Sequence, residues 1–199
     1  MNFEEEIAYR NELLSQARNG KKLSAQDRLW LVTHPLFNRS LGYPATNADI
    51  INLNSNAQYS IRVRVECKAY SDRIIPVFSV PGGKGIILVK GPLTDIRGNA
   101  STNKPVKVLG LLADLQHNDI QFFYQSELGL LGVSYECDYL DTKQHIMIRK
   151  NSGTGDPNFA MLSETLTENK RLYRCKSPDN DSFESLVFSL EWNPVPSNP

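Results

Sequence analysis

At 199 residues, 40% of them hydrophobic and 22% charged, the chain has the make-up of one globular domain. It is long enough to bury a core without disulfide or metal staples. That composition excludes a disordered, collagen-like or coiled-coil protein. Lys+Arg 22 against Asp+Glu 22 leaves a formal net charge of zero, not the electrostatic footprint of a dedicated nucleic-acid binder.

The first 35 residues read as a pair of short helices. Asn2 is placed to cap a helix whose first turn carries Glu4, Glu5 and Glu6 at the positive end of the dipole. Phe3, Ile7, Leu14 and Ala17 recur at helical spacing, with Leu13 beside them, and Gly20 ends the run. Ser24 followed by Asp27 has the form of a capping box for a second helix over 25–33, which Pro35 ends. Leu29, Trp30 and Val32 form its apolar side. Helices this short need a larger body to pack on. The same N-terminal stretch is acidic and amphipathic, unlike the basic start and apolar run of a signal peptide. No segment reaches the roughly 18 apolar residues of a membrane span. Cys67, Cys137 and Cys175 are an odd number without a C-x-x-C pair, which fits reduced, core-facing thiols. The expected location is the cytoplasm, with no membrane partner.

Residues 36–58 read as an irregular connector, with a short strand or a single turn at 49–53. From 59 onward the pattern switches to period two. Over 59–69, Ile61, Val63, Val65, Cys67 and Ala69 share one face, and Arg62, Arg64, Glu66 and Lys68 share the other, as in an antiparallel strand with one wet face. Further strands are expected at 74–80, 85–90, 106–114, 120–126, 130–139, 145–150, 159–165, 171–176 and 183–192, with Pro76 marking an edge strand. A flexible tail follows over 193–199. The whole is expected to be a single, mainly β domain: an antiparallel β-sandwich or jelly-roll-like sheet of about ten strands, with an N-terminal pair of short helices.

Motifs that carry chemistry are sparse. Pro81-Gly82-Gly83-Lys84-Gly85 lacks the spacing and hydroxyl residue of a phosphate-binding loop and reads as a hairpin turn. The glycine-rich 151–156 stretch reads the same way. The most metal-like group is Asp114, His117 and Asp119, suitable ligands that one turn would gather, although a polar turn tip explains them equally well. His34 sits at the end of the second helix and His145 at the start of a strand. Glu136, Asp138, Glu164 and Glu184 are acids on strands, from which a carboxylate pair would have to be drawn. Lys170, Arg171, Arg174 and Lys176 surround Tyr173 as a stacking platform for single strands would, but the balanced charge and neighbouring acids argue against it. No nucleophile elbow or activated thiol is present. The expected function is a non-catalytic cytoplasmic interaction module that binds another protein, of the immunity, phage or adaptor kind, without a cofactor and without nucleic acid. The alternative is a small-ligand- or metal-binding β-sandwich or jelly-roll protein, with or without catalysis, built on the Asp114–His117–Asp119 turn and the sheet acids.

Overall fold

Period-two alternation after residue 58 produces antiparallel strands, and their apolar faces meet to form a sandwich. The computed structural model describes residues 3–18, 21–27, 30, 36–38, 43–68, 74–89, 105–111, 118–141, 146–154, 159–177 and 182–196. Helix α1 (Phe3–Arg18) is followed by β1 (Leu36–Asn38), β2 (Tyr43–Ala45), β3 (Asp49–Asn52), β4 (Gln58–Lys68), β5 (Ile74–Ser79), β6 (Gly85–Val89) and β7 (Pro105–Val106). Then come β8 (Val108–Gly110), β9 (Asp119–Ser126), β10 (Leu130–Asp141), β11 (Ile146–Asn151), β12 (Ala160–Thr167), β13 (Lys170–Lys176) and β14 (Leu186–Pro194). One sheet runs β12-β13-β14-β4-β9-β6-β7. The other runs β11-β10-β5-β8, with β3 beside β10, and β1 pairs with β2 alone.

The core fills the space between the two large sheets. Phe78 on β5 reaches Phe122 on β9, with ring centroids 5.2 Å apart, and Phe188 on β14, at 6.3 Å. Tyr173 stacks on Phe188 at 5.0 Å. Polar ties also cross the gap. The Tyr135 hydroxyl accepts from Ala160 N at 2.9 Å and lies within donating distance of Ala160 O and Lys176 O. One β10 side chain thereby fixes the far edge of the opposite sheet, a buried hydroxyl with its partners met.

Helix α1 forms, and the start of the second helix forms as the capping pattern implies. Ser24 Oγ accepts from Asp27 N at 3.0 Å and donates to the Asp27 carboxylate, and residues 25–27 and 30 are helical. Tyr9 of α1 donates to Asp27 and packs edge-on against Trp30 at 4.7 Å. The inward side of α1 includes a charge that apolar spacing alone does not show. Buried Arg10 donates to Asn47 Oδ1 at 2.9 Å, and Asn47 donates on to Phe159 O at 3.0 Å.

Several expectations need correction. The 36–58 stretch is not irregular throughout, since it carries β1, β2 and β3. The last strand runs on to Pro194, and Val195 N still donates to Gln58 O at 2.8 Å, within the stretch expected to be a flexible tail. Pro76 does not mark an edge: β5 lies between β10 and β8. The proline is tolerated because β8 pairs only with residues 77–79, and the Pro76 carbonyl still accepts from Leu111 N. Pro81–Gly83 and Ser152–Thr154 are single 3-10 turns rather than hairpin loops, because each carries the chain from one large sheet to the other. A corner from β9 to β10 does the same. There Gly129 has φ +62°, and a Cβ would stand 2.3 Å from Leu53 O, so only glycine fits.

Cys67 is the sharpest departure. Opposite β4, Val187 pairs with Cys67 while Phe188 pairs with Val65, so Glu66 is an extra residue in a bulge. The bulge shifts the phase, and Cys67 faces outward, exposed, while Cys137 and Cys175 stay buried; all three are free thiols. Burial also pushes the Cys175 thiol well above its ordinary pKa, which makes it inert. One thiol should therefore react quickly with an aromatic disulfide reagent in the native protein, and three after denaturation without reductant. A fast native thiol that persists in Cys67→Ser would contradict the bulge.

Candidate functional site

On the outer face of the seven-stranded sheet, strand register assembles a mixed-charge cluster from three distant parts of the chain. Lys170 on β13 lies opposite Glu191 on β14, which lies opposite Arg62 on β4. One row along, Ser189 lies opposite Arg64, which lies opposite Asp119 on β9. Arg62, Arg64, Lys170, Ser189 and Glu191 line a cleft of about 70 Å³. Ser189 forms its floor and is only 3% exposed.

The charges here are unequally engaged. Arg62 Nε donates to both carboxylate oxygens of Asp119, at 2.8 and 3.1 Å, and a second guanidinium nitrogen closes the fork. This hydrogen bond holds the Asp119 carboxyl below its ordinary pKa and raises that of Arg62, so the pair is ionised and committed to itself. Glu191 accepts from Asn193 Nδ2 at 3.1 Å. Arg64 and Lys170 have no salt bridge or side-chain hydrogen bond among the described residues.

Beside this cluster the same face becomes apolar. Gln125 of β9 lies opposite Ile86 of β6, and Phe123 lies opposite Leu88. Ile86 is 37% exposed, while Leu88 and Phe123 are half-buried. Between the two zones Gln121 Nε2 reaches Ser60 Oγ at 2.5 Å.

The candidate residues read from the sequence are distributed differently. Asp119 is in the Arg62 fork, and Asp114 and His117 lie outside the described residues, as do His34 and His145. Among the described residues no group of three His, Cys, Asp or Glu side chains could hold a metal ion. The acids are scattered: Asp138 pairs with Arg149, Glu184 pairs with Arg174, buried Glu136 accepts from Asn151, and Glu164 is exposed on β12. The basic cluster around Tyr173 is divided by the strand's period of two. Lys170 and Arg174 point outward, whereas Arg171 and Tyr173 face Asp49 on β3, donating at 2.6 and 2.8 Å. Burial, with the Asp49 charge adding to it, pushes the Tyr173 phenol well above its ordinary pKa, so it stays a donor, and Arg171 lies 5.9 Å over the Trp192 ring. This group clasps the two sheets together and presents no stacking platform.

No helix among the described residues is long and apolar enough to cross a membrane. Compared with family models, with curated proteins and with solved structures, the chain matches none.

Proposed function

We propose that this protein is a non-catalytic interaction module that binds another protein through the outer face of the seven-stranded sheet. One observation carries the reading: exposed Ile86, flanked by half-buried Leu88 and Phe123, adjoins a polar and charged zone on one sheet face. Protein interfaces combine an apolar centre with a polar rim in this way. The balanced net charge agrees with a protein partner rather than nucleic acid. Three free cysteines support a cytoplasmic setting.

Substitutions on the face, outside the cleft, test this. Immobilised protein should retain one stoichiometric partner from an extract of its own cells. Ile86→Asp combined with Gln121→Arg should lower that retention by about tenfold or more, the loss expected when interface anchors are removed. Met147→Asp, an exposed position on β11 of the other sheet, should leave it unchanged. Equal capture by the face variant, or loss with Met147→Asp alone, would contradict the reading.

A further inference from the structure

We infer that the cleft over Ser189 is a receptor for a single carboxylate, supplied by an Asp or Glu side chain of the protein partner; this rests on the docking face proposed above and names what one part of it holds. Ser189 is almost wholly buried, yet its side chain lines the cleft and has no hydrogen-bond partner among the described residues. Every fully buried polar side-chain atom among the described residues has its partner, so this unpartnered hydroxyl is open to the cleft rather than sealed beneath it. A hydroxyl left open at the floor of a cleft is therefore a donor for whatever enters it.

Two cations frame that hydroxyl. Arg64 stands opposite Ser189 on the neighbouring strand, and Lys170 stands on the strand at the other side, one row along. Two strand spacings, about 10 Å, separate their backbones across the sheet, a span that the two long side chains close from either side. Arg62 is not available, because its guanidinium is spent on Asp119. The walls therefore offer one fork of N–H donors, one ammonium and one hydroxyl, a set suited to the two oxygens of a carboxylate.

Charge selects among anions. Arg62, Arg64 and Lys170 contribute three positive charges, and Asp119 and Glu191 two negative ones, so 3 − 2 leaves +1 for the cluster. That balances a monoanion. A phosphate monoester carries nearly two charges at neutral pH and would press its second charge against Glu191 in the wall. At about 70 Å³ the cleft admits a small headgroup, well short of the several hundred Å³ that a cofactor or drug-sized ligand needs.

The test is a two-dimensional NMR titration of the full chain at low, constant ionic strength. The probes are three acetylated and amidated tetrapeptides, each with three Gly and one further residue: Glu, Gln or phosphoserine. The Glu peptide should shift the signals of Arg64, Lys170 and Ser189 saturably. Arg64→Gln and Lys170→Gln should each weaken it by about tenfold, and Ser189→Ala by about fivefold. The spectra of these variants report that each is folded. Equal shifts from the Gln peptide, tighter binding of the phosphoserine peptide, or no shift at these residues would each overturn the carboxylate assignment. The docking face is judged separately, because Ile86→Asp with Gln121→Arg leaves every cleft residue in place.

Discussion

Val63→Asp should melt far below the parent, while Arg64→Asp, one residue on, should melt close to it. Val63 is fully buried and lies between Leu190 on β14 and Ile120 on β9, both themselves buried. A carboxylate there has apolar neighbours on both flanking strands. Burying it costs several kcal/mol even if it takes up a proton, against a total stability of about 5–15 kcal/mol for a domain. Arg64 is exposed and makes no ion pair among the described residues, so its replacement should change stability by about 1 kcal/mol or less, including the repulsion from Asp119 directly opposite. Thermal melts followed by circular dichroism check the contrast. If Arg64→Asp is the severe variant, the phase of β4 is reversed. If both are severe, the proposed docking face is buried.

Phe78→Ala should lower stability by about 3–5 kcal/mol, the range for emptying a phenylalanine site in a packed core. The ring comes from the five-stranded sheet and is fully buried against Phe122 and Phe188 of the seven-stranded one, so its loss opens a cavity at the join between the sheets. Leu166→Ala, at an exposed position on β12, should change little. Urea unfolding should show the midpoint falling with the slope unchanged. A loss below about 1 kcal/mol would mean that the sheets do not meet at Phe78.

Individual strands were legible in the sequence because alternation is a local signal. The 59–69 pattern gives β4, its core face as far as Val65, and its outward arginines. What lies beyond one strand was not legible. The extra residue at Glu66 exists only relative to β14, more than 100 positions away, so nothing local marks Cys67 as outward-facing. Turn chemistry at Pro81–Gly83 announces a reversal but not whether the chain returns to its own sheet or crosses to the other. β1 and β2 span three residues each, too few for any period to register.

The candidate site was legible only in part, for the same reason. Alternation puts Arg62 and Arg64 on an outer face. Gathering Lys170, Ser189 and Glu191 around them takes the β13-β14-β4 register. The period of two within 170–176 is the usable local signal. It separates Lys170 and Arg174 from Arg171 and Tyr173 and so dissolves the apparent basic cluster.

Hydroxyl-radical labelling of the protein, free and in complex with the partner it retains, tests the docking claim most directly, because it reads side chains rather than backbone. Ile86, Leu88 and Phe123 should lose reactivity in the complex, while exposed Met147 on the opposite sheet should label as it does in the free protein. Protection of Met147 with unchanged labelling at Ile86, Leu88 and Phe123 would place the partner on the other side of the sandwich and contradict the account.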